Sequence, residues 1–263
     1  MADLYSNYCN YLKNEEQKDS DSQYTNFKNN ESYTYMLEHV TEGLGEQYLK
    51  HIFDEFDIAV YDVVKYLILN DSFGNPTKST YVTKDGTIIS CSPTSLRYTY
   101  QALVILKHYK TTDCENMVEL GCGYGGLFLA IDYFATLLGL NISKYNMVDL
   151  PQPNTLIEFY LNLHKENVKT PYELHKADDY GSTVPSGKLF FISNYCYTEI
   201  DTEHKEKYYN SLLKRADSGF IIWQTICFDI EYMNQIIQTP KEIIIEKPQT
   251  CFDTKTPNYC VFF

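Results

Sequence analysis

The stretch Val118 to Gly126 reads V-E-L-G-C-G-Y-G-G, and its residue types could seat a nucleoside-bearing ligand. Glycine adopts backbone angles that other residues avoid, and without a Cβ it lets a ligand lie against the main chain. Gly121, Gly123 and Gly125 fit one such loop, whereas Gly121, Gly123 and Gly126 fit the G-x-G-x-x-G of a dinucleotide site. Spacing alone leaves both open, together with a chance cluster of glycines. Three further features bear on the choice. Between Thr111 and Ser143 there is no Lys or Arg, while Asp113, Glu115, Glu119 and Asp132 are acidic. Pyrophosphate can rest on a helix N-terminus without basic side chains, so this is only suggestive. Yet Glu119, two residues before the first glycine, suits a ligand carrying an ammonium and a sulfonium. Asp149 follows the next apolar run, where a carboxylate can take both hydroxyls of a ribose, which fits either ligand. The last two strands of the chain read as an antiparallel pair, not expected of a plain dinucleotide fold. Together these features favour S-adenosylmethionine, with NAD as the competing ligand.

Such residues need a strand that stops at the glycines and a helix that leaves them. Met117 to Leu120 reads as that strand, and Gly126 to Leu138 as an apolar helix stopped by Gly139. Tyr145 to Val148 is a second strand ending on Asp149, and Asn154 to Glu166 a helix. Tyr172 to His175 is a short third strand before Asp178-Asp179, and Leu189 to Ser193 a fourth. Asp201 opens a helix to about Ala216, and Gly219 to Thr225 is a fifth strand. Glu242 to Glu246 and Tyr259 to Phe263 are strands joined by a proline-containing loop without room for a helix. Strands separated by crossover helices pair in parallel, and a final pair without one is antiparallel.

Upstream of these elements the pattern is mostly helical. From Tyr33 to Leu69, the residues Tyr48, Ile52, Phe56, Ala59, Val63 and Leu67 recur at three or four and predict one apolar face. Asn70 to Pro76 reads as a loop. Asp85-Gly86, between Tyr81–Lys84 and Thr87–Ser90, signals a two-residue hairpin. Ser92-Pro93 opens a helix to about Tyr109 with Leu96, Tyr100, Leu103 and Leu106 inward. Residues 1 to about 30 are polar and acidic, a frayed arm or a helical cap. Thr111 to Glu115 is the natural boundary, which divides the chain into a helical cap or substrate region (1–110) and a catalytic, cofactor-binding domain (111–263).

Composition narrows the partners. A formal net charge of −13 speaks against a nucleic-acid polymer, whose binding relies on Lys and Arg releasing counterions. The eight cysteines are scattered without metal-finger spacing and read as reduced thiols of a cytoplasmic protein. The N-terminus lacks the basic start and apolar run of a signal peptide, and no apolar stretch reaches membrane-spanning length. No ligand cluster demands a metal. The 25 tyrosines fit biased composition and amphipathic core packing better than a sugar-stacking surface. Oligomeric state is open, a homo-oligomer included.

E-L-G-C-G-Y-G-G followed by V-D-L-P at Val148 to Pro151 resembles the class I S-adenosylmethionine-dependent methyltransferases. Further motifs are similar to the sugar O-methyltransferases of bacterial surface-polysaccharide clusters and some large viruses. These are L-E-H-V at Leu37 to Val40, N-D-S-F-G-N-P at Asn70 to Pro76, S-P-T-S-L-R-Y at Ser92 to Tyr98 and I-S-N-Y-C-Y-T-E-I at Ile192 to Ile200. The resemblance begins near Tyr33 and implies a Rossmann-like methyltransferase sheet and O-methylation of a sugar, nucleotide-linked or within a glycan. A small-molecule acceptor of another kind is the alternative, with an NAD-dependent oxidoreductase or a non-catalytic scaffold behind it. In a virus the host cytoplasm would be the location. The resemblance implies a floor of Gly121, Gly123 and Gly125 with Tyr124 packed above the cofactor. It also implies Glu119 at the methionine ammonium, Asp149 at the ribose, Leu150 beside the adenine and Asp178 or Asp179 at its amino group. Arg97 is placed at the methionine carboxylate. The fourth strand would end beside the transferred methyl, so Glu199 is the expected base, with Asn194 and Tyr195 orienting ligand. His39 and His204 compete as bases, because imidazole titrates nearest neutrality. Gln224, at the fifth strand's end, is a candidate substrate contact.

Overall fold

The computed structural model describes residues 2–37, 39–251 and 255–263; Glu38, within the L-E-H-V motif, lies outside them. Helix α1 (Ala2–Glu16) leads to α2 (Glu31–Met36), α3 (Glu42–Glu55) and α4 (Val60–Asn70). The hairpin β1 (Ser79–Val82) and β2 (Ile88–Cys91) precedes the long α5 (Pro93–Tyr109). Strands and helices then alternate: β3 (Asn116–Leu120), α6 (Gly126–Leu137), β4 (Lys144–Asp149), α7 (Pro151–Leu163), β5 (Tyr172–Lys176) and β6 (Leu189–Asn194). After β6 come α8 (Cys196–Glu199), α9 (Thr202–Ser211), β7 (Ser218–Gln224), α10 (Ile230–Ile236), β8 (Glu242–Ile245) and β9 (Asn258–Phe262).

Seven strands form one sheet in the order β5-β4-β3-β6-β7-β9-β8. The first five pair in parallel, and β9 runs antiparallel to both neighbours. This is the mostly parallel α/β sheet with an antiparallel C-terminal hairpin that the alternation predicts, preceded by a mostly helical N-terminal region. Side chains alternate across it with a period of two. Met117, Tyr145, Phe190, Phe220 and Phe262 point into a core shared with α5, α6, α7 and the N-terminal helices. Val118, Val148, Phe191, Ile221 and Val261 point into a second core under α9 and α10.

The upstream segment differs from its predicted form. The single helical face over Tyr33 to Leu69 is divided among three helices: Phe56 leaves helical angles (φ −130°, ψ 137°) and Ala59 is an extended N-cap. The break lets α3 pack on α5 while α4 reaches both α5 and α6. The hairpin loop is wider than two residues. Thr83 and Asp85 accept the Thr87 N–H at 3.0 and 3.1 Å, and Gly86 takes the left-handed conformation (φ +85°). These bonds close a loop over 83–87 instead of extending the ladder. Helix α7 begins at Pro151, three residues earlier than predicted, because proline suits the first helical turn.

Residues 1–30 are largely ordered into α1 and a returning segment. Tyr8, Leu12 and Glu15 line the buried side of α1, and Glu15 accepts from the Tyr24 N–H at 2.9 Å. The loop after α4 clasps the start of α5. Asp71 accepts from the Ser92 N–H and the Ser95 hydroxyl, both at 2.6 Å, while Asn70 donates to Ser95 at 2.7 Å. Lys28 donates to the Asn70 carbonyl and lies 4.6 Å from the Tyr124 ring centroid, pinning the arm to that clasp. Asp71→Ala is expected to cost about 2–3 kcal/mol of unfolding free energy by leaving two buried donors without their carboxylate. Urea denaturation measures it, and a loss below about 0.5 kcal/mol would contradict the clasp.

Candidate functional site

The chain leaves β3 for β4 and β5 on one side and returns to β6 and β7 on the other. At such a switch point the loops diverge and open a crevice at the carboxyl ends of the strands. Gly121, Gly123 and Gly125 turn the chain there with φ of +80°, +62° and +84°. A Cβ on Gly121 would collide with Cys196, so glycine lets the exit of β6 lie directly on the turn. Above these elements opens a cavity of about 360 Å³, floored by Gly121 and Gly123. Asp149, Asn194 and Gln224, from the ends of β4, β6 and β7, reach its wall. So does Asn258, because the antiparallel β9 begins where its neighbours end.

Asp149 holds the floor in shape. Its Oδ2 accepts the N–H groups of Cys122 and Gly123 at 2.6 and 3.1 Å, and its Oδ1 that of Leu150 at 2.7 Å. Burial raises its pKa to about 6 against the pull of these bonds, so it is mostly ionised at neutral pH. Glu119 departs from its expected place at a ligand ammonium. Its position in β3 directs it with Met117 into the first core, where it is 2% exposed and accepts from the Tyr145 hydroxyl at 2.9 Å. Burial pushes its pKa up to about 8, and it does not line the cavity.

The exit of β6 carries most of the polar chemistry. Asn194 donates to Gln101 at 2.9 Å, and its Oδ1 is buried with no partner among the described residues. Tyr195 is held at φ +69°, ψ −40°, strained for a residue with a Cβ. Its hydroxyl donates to Glu246, which also accepts from Thr250 Oγ1 at 2.9 Å and Asn258 Nδ2 at 3.0 Å. Glu199, one short turn further on, lines the cavity together with Gln224 and Tyr5 of α1. Burial raises its pKa. Gln224 in turn accepts from the Thr198 hydroxyl at 2.7 Å.

His39 and Arg97 face the same cavity. The surrounding protein and then the Arg97 charge lower the His39 pKa to about 4, which leaves a neutral and weakly basic imidazole. Arg97 is buried, not on a surface helix face, and donates to the Leu37 carbonyl at 2.8 Å. Other expected residues are elsewhere. His204 is exposed on α9, paired with Asp201 at 2.7 Å, because the helix start turns it outward. Tyr124 turns away from the cavity into an aromatic cluster with Phe27, Tyr33, Tyr98 and Tyr160. Asp178 and Asp179 occupy a 3-10 turn after β5 and do not reach the cavity, and Leu150 serves as the N-cap of α7. Among the described residues, no group of three or more His, Cys, Asp or Glu comes together to hold a metal.

Sequence reasoning missed Tyr5 and Tyr8, which α1 delivers to the cavity. Their signal is the spacing Tyr5, Tyr8, Leu12, Glu15, a helical stripe obscured by the low hydropathy of tyrosine and glutamate. Glu246, Thr250 and Asn258 were also unforeseen, since only tertiary pairing of β8 and β9 gathers them.

No family model and no curated protein sequence matches the chain. Among solved structures, the methyltransferase domain of bacterial CtHen1-C overlaps 63% of this chain and 95% of its own, at 12% identity and a TM-score of 0.48. Magnesium protoporphyrin IX methyltransferase (ChlM) from Synechocystis PCC 6803, with bound SAM, overlaps 82% and 95%, at 10% identity and a TM-score of 0.48. TehB from Haemophilus influenzae overlaps 66% and 67%, at 12% identity and 0.45. The fold class, an α/β Rossmann-like sheet that is mostly parallel and closes on an antiparallel C-terminal hairpin, rests on strand order and direction rather than on these overlaps.

Glu119 generates a stability test. Its folded pKa of about 8 exceeds the ordinary 4.5, so folding binds its proton more tightly. The associated stability is fully present below pH 4.5 and is lost as pH rises through 8. Glu119→Gln, which keeps an acceptor for Tyr145, should therefore gain on the wild type across that window, by an order of a few kcal/mol at pH 9. Urea denaturation at pH 5, 7 and 9 measures the difference; a gap that does not change with pH would contradict it.

Proposed function

We propose that the protein is an S-adenosylmethionine-dependent O-methyltransferase that acts on a sugar hydroxyl, nucleotide-linked or within a glycan. The observation that carries this reading is the convergence on one cavity of the glycine turn, the Asp149 carboxylate and the Glu199 carboxylate. The residues fit the cofactor on the evidence of the cavity itself: two glycines form a floor without Cβ atoms, and Asn194 Oδ1 is an unpaired buried acceptor. In this reading Gly121 and Gly123 lie under the cofactor, with Gly125 completing the turn into α6. Asp149 accepts from ribose, Arg97 pairs with the methionine carboxylate as a bidentate donor, and Asn194 replaces Glu119 at the ammonium. Residues 111–263 form the cofactor-binding unit, and residues 1–110 supply much of the acceptor side.

S-adenosylmethionine supplies an electrophilic methyl group on a sulfonium. The chain must hold a hydroxyl oxygen in line with that methyl, exclude water and remove the hydroxyl proton. Alignment of two bound reactants contributes on the order of 7–11 kcal/mol at best. A sugar hydroxyl is almost fully protonated at neutral pH, so a base adds roughly 10²–10⁴-fold. Glu199 takes that proton on its carboxylate: burial raises its pKa above the ordinary value, and Tyr5 and Gln224 flank it on the cavity wall. His39 is the weaker choice, since a pKa of about 4 makes a poor proton acceptor. The net charge of −13 favours a small acceptor over a nucleic-acid polymer. Another small-molecule acceptor is the second reading, since the cavity's mixed wall of Tyr35, Met36 and Ile226 is not specific to sugars.

Incubation with methyl-labelled cofactor and a panel of nucleotide sugars, followed by product analysis, tests the proposal. Label should appear as a sugar methyl ether. Glu199→Gln should lower turnover by about 10²-fold or more while cofactor affinity stays within a few-fold. Near-normal turnover in that variant removes Glu199 as the base, and label transferred only to non-sugar acceptors overturns the substrate class.

A further inference from the structure

We infer that Tyr8 of the N-terminal helix is a cofactor-binding residue whose hydroxyl bonds the ribose, so that α1 completes the nucleoside site. The inference rests on the proposed use of S-adenosylmethionine. Tyr8 lines the large cavity together with Gly121, Gly123 and Asp149, yet only 2% of it is exposed. Its hydroxyl oxygen finds no hydrogen-bond partner among the described residues. A buried hydroxyl without a partner costs folding free energy, which is offset when a ligand supplies the missing bond. Two groups identify the ligand part that meets it. One is Asp149, which shares the cavity wall with Tyr8 at the carboxyl end of β4. A phenol both donates and accepts, as a ribose hydroxyl does, so the two can pair while Asp149 accepts from the same diol.

The same helix carries Tyr5, one turn earlier, which lines the cavity with Glu199. One side of α1 thus touches both halves of the cavity. The sheet alone would leave the nucleoside side uncovered, and α1, packed on α2 and α7, covers it.

Calorimetric titration of the full chain with S-adenosylhomocysteine and with 5′-methylthioadenosine, which lacks the amino-acid part, tests the assignment. Tyr8→Phe should weaken both ligands by about tenfold. It should melt no lower than the wild type without ligand, because the lost hydroxyl had no protein partner. Tyr24→Phe is the control: Tyr24 is equally buried with an unpartnered hydroxyl but lies outside the cavity, and its affinities should stay within twofold of wild type. Equal binding by Tyr8→Phe and wild type overturns the assignment. So does a penalty confined to S-adenosylhomocysteine, which would move the contact off the ribose, or a lower melting temperature, which would mark a structural bond. A wild-type protein that takes up neither ligand overturns the cofactor reading itself, a result distinct from these.

Discussion

The carboxylate of Asp149 ties the glycine turn to the end of β4. Backbone N–H groups at a turn need acceptors, and those of Cys122 and Gly123 find theirs on a side chain from the neighbouring strand. The turn is thereby fixed against β4 before anything binds, and its left-handed glycines keep the floor flat. Everything else at the cavity is placed relative to that floor. Cys196 rests on Gly121, which sets the height of the β6 exit and so the reach of Asn194 and Glu199. Burial raises the Asp149 pKa to about 6, and the three backbone N–H bonds pull against that rise, so the tie holds as an ionic hydrogen bond at neutral pH.

A second constraint comes from the tyrosines. More than half of them are buried, and all of these but Tyr197 and Tyr208 join the N-terminal helices to the sheet as one core. Tyr124 is the clearest case. Its ring leaves the glycine turn in the direction opposite to the cavity and meets Phe27, Tyr33 and Tyr160 edge-on, while its hydroxyl exchanges bonds with Asn70. The glycine motif is therefore shared between two tasks: Gly121 and Gly123 face the cavity while Tyr124 anchors the arm. This division explains how α1 comes to line the cavity with Tyr5 and Tyr8.

Much of the sheet was legible because each strand is a short apolar run with a helix or turn signal after it. The strand ends that build the cavity, Gly121, Asp149, Asn194 and Gln224, follow from that punctuation alone. What escaped was set by direction rather than by type. Glu119 has the residue type of a ligand contact, but strand alternation turns it into the core beside Tyr145. His204 has the chemistry of a base and sits on an outward helix face. Conversely, α1 carries too little hydropathy to announce a buried stripe, since tyrosine packs like a large apolar residue while scoring as a polar one. The Glu246 network was invisible because its members converge only when β9 folds back between β7 and β8.

The central claim is that an S-adenosyl ligand lies on the glycine floor beside Asp149. Isothermal titration of the wild-type protein and Asp149→Ala with S-adenosylhomocysteine, with NAD titrated in parallel, tests it most directly. The account predicts uptake of one equivalent by the wild type, an affinity lowered about tenfold or more by Asp149→Ala, and no heat from NAD. Binding of NAD with no uptake of S-adenosylhomocysteine would contradict it.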